Sequence, residues 1–150
     1  MRGQETLFSH KSDEWETPQA LFDELDKEFH FDLDVCATNE NAKCAVYFGL
    51  DNGVDGLTTP WEMSWGTARV WCNPPYSDIK SWCKKCSEHN GTAVMLVPAR
   101  TDTKWFHEYC YNKPGVETRF IKGRLKFGNS KNSAPFPSMV VIFRKEDTCQ

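Results

Sequence analysis

The run Asn73-Pro74-Pro75-Tyr76 brings a carboxamide, a rigid backbone carbonyl and an aromatic ring together within four residues. An amino nitrogen attached to a planar conjugated group is a poor nucleophile, because its lone pair is delocalised. Two acceptors aimed at its two N–H bonds favour a pyramidal nitrogen and stabilise positive charge as it develops. The Asn73 side-chain oxygen and the Pro74 carbonyl suit that task, and the proline holds its carbonyl in a fixed direction. Tyr76 adds a face on which a base can stack, a contact worth roughly 1–3 kcal/mol. With a sulfonium as methyl donor the leaving group is already good, so the chemistry calls for positioning rather than for a metal or a covalent nucleophile.

The elements around this run decide whether it can act as a site. Ala68-Arg69-Val70-Trp71-Cys72 reads as a short strand that runs directly into the tetrapeptide and is ended by its two prolines. Residues 77–90 follow as a helix with Ile79, Trp82, Cys83 and Cys86 on one face. Upstream, Thr17 is placed to cap a helix with Pro18 at its first position, and Leu21, Phe22, Leu25 and Phe29 share a face. Phe31, Leu33 and Val35 alternate with acids as a strand does. Thr92 to Val97 is a buried strand stopped by Pro98, and Trp105 to Tyr111 fits a helix. Val116 to Phe127 and Ser138 to Phe143 read as two strands joined by a connection rich in Gly, Asn, Ser and Pro at 128–137, which is also a candidate substrate loop. In 38–68 the signal is thinner: a short helix from Asn39, a strand at Val46-Tyr47-Phe48 and a turn at Asp51-Asn52-Gly53. Strands alternating with helices indicate an α/β sheet, mostly parallel with an antiparallel C-terminal strand, whose ligands bind outside the carboxyl ends of the strands. Asn73 stands at such an end.

The 150 residues are the size of one domain, with 39% hydrophobic residues that argue against disorder and no apolar run long enough for a membrane span. The expected organisation is a flexible segment at 1–12 and a single domain over 13–146. The N-terminus lacks a signal-type apolar core, so the seven cysteines are expected to stay reduced in the cytoplasm. Charge is uneven: residues 1–80 carry 6 Lys/Arg against 15 Asp/Glu, and residues 81–150 carry 12 against 6. An acidic half that handles a cationic cofactor and a basic half that meets phosphates would produce this asymmetry.

The tetrapeptide resembles motif IV of amino-methyltransferases, and the likeness extends well beyond it. Trp15-x-Thr17-Pro18, Phe31-x-Leu33-Asp34-Val35-x-Ala37, Asn41-Ala42, Asp55-Gly56-Leu57, Leu96-x-Pro98-Ala99-Arg100-Thr101-Asp102-Thr103, Gly123-Arg124-Leu125-x-Phe127 and Pro135-Phe136-Pro137-Ser138 occur in order with it. Together they resemble the phage-type DNA N-6-adenine methyltransferase family from Trp15 to Phe143. The resemblance implies a Rossmann-like fold, S-adenosyl-L-methionine as cofactor, DNA as partner and the N6 of adenine as acceptor, in a bacteriophage or its host's cytoplasm. Asn73, Pro74, Pro75 and Tyr76 would then be catalytic.

For the cofactor, the resemblance implies Trp15, Thr17 and Pro18 at its amino-acid moiety, where a helix start offers free backbone N–H groups. Asp34, Cys36 and Ala37 would form the turn after the first strand, Asp55 would meet the adenine amino group, and Asn73 would border the site. An acid for the ribose hydroxyls is also expected, with Asp51 and Glu40 as candidates and Asp51 preferred. One departure stands out: most methyltransferases have a glycine-rich turn where this chain has Cys36-Ala37-Thr38-Asn39. For the DNA, Tyr76 and Phe127 would wall the base pocket, and Arg100, Lys122, Arg124 and Lys126 would meet phosphate.

Cys83-x-x-Cys86-x-x-His89 has metal-binding residue types, but within a helix and without a second ligand pair it reads as core, so no metal is expected. Cys36 and Cys72 read as small pocket-wall residues rather than nucleophiles. RNA adenine, or a glutamine amide in a protein, would present the same two N–H bonds to Asn73 and Pro74, and a binding protein with a vestigial motif is a further alternative. With no sizeable insertion for target recognition, base contacts are left to loops such as 128–137 or 51–66, and a monomer is the default expectation.

Overall fold

The structure is a computed structural model and describes residues 15–128 and 130–145. The segment 1–12 expected to be flexible, and the outermost residues of the expected domain, lie outside the described residues.

Six strands form one sheet: β1 (Leu33–Asp34), β2 (Val46–Tyr47), β5 (Val70–Cys72), β6 (Thr92–Pro98), β7 (Val116–Phe120) and β8 (Ser138–Arg144), in the order β2-β1-β5-β6-β8-β7. The first four neighbours pair in parallel, while β8 runs antiparallel to both β6 and β7. This is the α/β sheet expected from the sequence. The acidic half of the chain builds one side of it (β2, β1, β5) and the basic half the other (β6, β8, β7).

Helices cover both faces, and the period-2 alternation of strand residues sorts the core into two clusters. Val70, Cys72, Ala93, Met95, Val97, Met139, Val141 and Phe143 face α2 (Ile79–Glu88) and α3 (Lys104–Tyr109). Trp71, Val94, Leu96, Val140 and Ile142 face α1 (Gln19–Phe29), which contributes Phe22, Leu25 and Phe29. Burial on both faces explains why β6 and β8 read as unbroken apolar runs. α1 closes on His30, whose left-handed backbone (φ 55°) lets its N–H reach the Asp26 carbonyl.

Three sequence expectations are corrected, and one element is new. Thr17 does not cap α1: Pro18 is the N-cap residue, no side chain caps it, and the Thr17 hydroxyl is engaged elsewhere. The strand expected to reach Phe127 ends at Phe120, because Gly123 turns the backbone left-handed (φ 75°) and Ile121, Leu125 and Phe127 fold into the α1-side core. Residues 39–41 form turns, not a helix. Residues 61–67 hold an unanticipated hairpin, β3 (Glu62–Met63) with β4 (Gly66–Thr67).

On α2, Cys83 and Cys86 are buried, with Cys83 Sγ 3.4 Å from Cys110 Sγ on the end of α3. The His89 ring nitrogen lies 2.7 Å from the Ala68 carbonyl oxygen. Among the described residues no cluster of three or more metal-ligating side chains occurs.

Candidate active site

Because β2, β1, β5 and β6 are parallel, the segments that follow them emerge on one side, and there a cleft of 350 Å³ opens between the ends of β1 and β5. Its walls come from residues 15–17, the turn after β1, the segments 48–50 and 54–57, and Asn73-Pro74-Pro75 after β5.

Asp34 closes β1 and is almost wholly buried in this wall. Its carboxylate accepts the N–H groups of Lys43 at 3.0 Å and Cys36 at 3.4 Å. Burial nevertheless pushes its pKa up to about 7, against the opposing effect of those two N–H groups and the Lys43 charge. A cation placed beside such a carboxylate would relieve the cost of ionising it.

The missing glycine-rich turn is compensated from across the cleft. A Cβ on Gly49 would stand 1.7 Å from the Ala37 carbonyl oxygen, and one on Gly56 would stand 2.1 Å from the Val35 carbonyl oxygen and 2.8 Å from the Trp82 ring. The close backbone approach thus occurs at the turn after β1, with the glycines supplied by the facing segments. The 55–57 loop is anchored from beneath: Trp61 Nε1 donates to the Gly56 carbonyl at 2.8 Å, and Lys85 Nζ donates to the carbonyls of Leu57 and Thr59 at 2.9 and 2.7 Å. One Asp55 carboxylate oxygen accepts the Leu57 N–H at 2.9 Å.

Asn73 has an asymmetric environment. Its Nδ2 donates to the Trp15 carbonyl at 2.5 Å and to Thr17 Oγ1 at 2.9 Å, while its Oδ1 is buried without a hydrogen-bond partner. No hydrogen bond among the described residues ends on the Pro74 carbonyl. Tyr76 follows in a 3₁₀ turn, Tyr76–Asp78, that leads into α2, with Asp78 accepting the Ser81 N–H at 3.4 Å. The Tyr76 hydroxyl is also buried without a partner, and burial raises its pKa, with Arg100 opposing. One face of the Tyr76 ring meets Trp15 (centroids 6.3 Å apart, planes 19° apart), and Phe136 packs edge-on at 5.7 Å.

Of the residues singled out for the cofactor, Trp15, Thr17, Asp34, Cys36, Ala37, Asp55 and Asn73 line the cleft, whereas Pro18 and Asp51 do not. Asp51 is exposed and its two oxygens accept the Asn39 N–H at 2.7 Å and the Tyr47 hydroxyl at 3.2 Å. It braces the loop after β2, and Glu40, the other acid considered, is likewise outside the lining. Of the residues assigned to the substrate, Phe127 is not an open wall: it is 1% exposed and packs against Trp15 at 5.3 Å. Lys122, Arg124 and Lys126 are exposed beyond the end of β7, as is Arg100 after β6, and none of the four lines the cleft. Sequence reasoning missed Asn41, Gly49, Val54 and Trp82, all in the lining. Asn41 stood among the runs that carry the family resemblance, and Gly49 also carried a signal, since a glycine just after a strand marks a close approach.

Comparison with known proteins places the chain among relatives. The family model described as DNA N-6-adenine-methyltransferase (Dam) matches residues 4–148. The DNA N-6-adenine-methyltransferase of Haemophilus phage HP1 (strain HP1c1) is 30% identical over 146 residues, covering 89% of this chain and 80% of that protein. The DNA N-6-adenine-methyltransferase of Escherichia phage T1 is 35% identical over 101 residues, covering 64% of this chain but 40% of that longer relative. With the family model matching residues 4–148 and a relative 30% identical over 89% of the chain, the chain belongs to the DNA N-6-adenine-methyltransferase (Dam) family.

Proposed function

We propose that this protein transfers a methyl group from S-adenosyl-L-methionine to the N6 amino group of adenine in DNA, with Asn73, Pro74 and Tyr76 as the residues that meet the base. The observation that carries this reading is the buried, unpartnered Asn73 Oδ1 at the rim of the cleft. Buried acceptors are ordinarily paired, so an orphan beside a cavity points to a ligand that supplies the missing donor. Asn73 Oδ1 and the Pro74 carbonyl accept the two N–H bonds of the amino group, raise the availability of its lone pair and stabilise the charge that develops. Tyr76 lends its ring to the flipped base, with Trp15 already against one face of it.

The cleft residues fit the cofactor, which when bound supplies an electrophilic methyl on a sulfonium. Asp34 meets its cationic amino-acid end, Thr17 meets its carboxylate, and Asp55 has an oxygen for its adenine amino group. Arg100, Lys122, Arg124 and Lys126, exposed outside the cleft lining, meet phosphate. Pro75, Cys36 and Ala37 shape the walls.

Asp34 makes the cofactor site pH-dependent with a definite sign. Its folded pKa lies above the ordinary 3.8, at about 7. The folded, ligand-free protein therefore holds a proton that the unfolded chain has released, and its stability falls as pH rises across that window. Cofactor affinity has the opposite slope: it rises by up to about tenfold per pH unit until about pH 7 and then levels off, since the cation binds the ionised form. Calorimetric titration across the same range measures it, and Asp34→Asn removes both slopes. A flat wild-type profile would remove Asp34 from the cation site.

The assay for the activity offers labelled methyl donor to unmethylated DNA, RNA and a protein mixture, followed by nucleoside analysis. The expected product is N6-methyladenine in DNA. Label in RNA or protein would retain the site and replace the substrate, and absence of transfer and of cofactor binding would sink the reading.

A further inference from the structure

A carboxamide is nearly symmetric in shape: turning the Asn73 side chain by 180° exchanges Oδ1 and Nδ2 at little steric cost but reverses its chemistry. With Nδ2 forward, a donor would face the donors of an amino group, and one of the two acceptors proposed for the reaction would be gone. Something must therefore choose the orientation. The Trp15 carbonyl, 2.5 Å from Nδ2, can only accept, so it admits the NH₂ and repels the oxygen. The Thr17 hydroxyl, 2.9 Å from Nδ2, takes the second N–H. Both protons of the amide are thereby tied to the segment before α1, and Oδ1 is left unpartnered.

Thr17 is 4% exposed, yet it makes no capping bond to α1, whose N-cap is Pro18 without a side-chain partner. The local helix does not need its hydroxyl. Thr17 sits 56 residues from Asn73 in the chain, so this is a tertiary contact between the segment before α1 and the end of β5.

We propose that Thr17, together with the main-chain carbonyl of Trp15, is a positioning residue that holds the Asn73 carboxamide with its oxygen forward. The inference rests on the reading that Asn73 Oδ1 accepts from the target amino group. It adds that the orientation of the acceptor is imposed by the segment before α1 and not by the tetrapeptide itself.

The test compares wild type with Thr17→Val, which keeps the shape and removes the hydroxyl, and Thr17→Ser, which keeps the hydroxyl. The kcat is measured at saturating cofactor and DNA, so that any loss of cofactor affinity does not enter it. Thr17→Val is expected to lower kcat at least about tenfold, a change of about 1.4 kcal/mol in the barrier, and Thr17→Ser to restore it to within about threefold. In ¹⁵N-resolved spectra the Asn73 side-chain NH₂ pair, identified by its loss in Asn73→Ala, should exchange slowly in wild type and faster in Thr17→Val. If Thr17→Val does not fold, Thr17→Ala against Thr17→Ser gives the same comparison. A Thr17→Val protein with kcat near wild type, or with unchanged amide exchange, overturns the proposal while Asn73→Ala stays inactive. An active Asn73→Ala instead overturns the underlying reading of the site.

Discussion

Asn73→Ala is expected to lower kcat for methyl transfer by about 10²–10³-fold while changing the cofactor dissociation constant by less than about threefold. The magnitude follows from removing one acceptor of two at the point where charge develops, in a partly buried site where such an acceptor counts for more than in water. The split between kcat and affinity follows from geometry. Asn73 contributes one edge to a cleft whose other walls belong to the β1 turn and the 48–57 segments, so the cavity survives the substitution. The Trp15 carbonyl and the Thr17 hydroxyl would lose their donor at the same time, which costs roughly 1–3 kcal/mol of stability. Steady-state kinetics with calorimetry on a cofactor analogue measures both quantities. A loss confined to cofactor affinity would move Asn73 from the reacting nitrogen to the cofactor.

The second large effect is expected at Gly49. Its backbone is extended (φ −174°), so alanine has no conformational objection there, but the added Cβ would stand 1.7 Å from the Ala37 carbonyl oxygen. Neither partner is a flexible side chain, so the two backbone segments that enclose the cleft must part. Gly49→Ala should therefore destabilise the fold by about 3 kcal/mol and raise the cofactor dissociation constant at least about tenfold, because the turn carrying Asp34 to Ala37 moves with it. Gly53→Ala is the matched control: Gly53 is left-handed (φ 73°) with open space around it, so it should cost about 1 kcal/mol of stability and leave affinity unchanged. Thermal unfolding and calorimetry on the pair make the comparison. Equal affinity in Gly49→Ala and wild type would mean that the close approach to Ala37 does not shape the cofactor site.

The same contact explains how this chain departs from the glycine-rich turn of the wider methyltransferase pattern. A close approach needs a missing side chain on one of the two segments, and it does not matter which. Here Gly49 and Gly56 supply it from the facing strands' loops, which leaves Ala37 free to keep its methyl group.

Much of the site's identity was legible because it is written in residue types. A strand ended by two prolines, with an asparagine at its carboxyl end and a helix after it, places the tetrapeptide without any tertiary information. β6 and β8 were legible because burial on both faces leaves apolar runs bounded by proline. In 38–68 only β2 was anticipated, since β3 and β4, of two residues each, are too short to show a period. Phe127 was misread for a related reason: alternating charged and apolar residues describe a strand only while the backbone stays extended, and Gly123 ends that.

The sequence by itself determined the kind of chemistry, the class of fold and the position of the acceptor at a strand end, because each follows from local composition and spacing. The tertiary structure alone decided how deeply Asp34 is enclosed in the cleft wall, while Asp51 and Glu40 stay outside the lining, and which way the Asn73 amide points. Both depend on what the folded chain brings against a side chain: enclosure by the cleft wall for Asp34, and for Asn73 two acceptors 58 and 56 residues away. A carboxylate's charge and a carboxamide's orientation are set by such neighbours, and local sequence does not contain them.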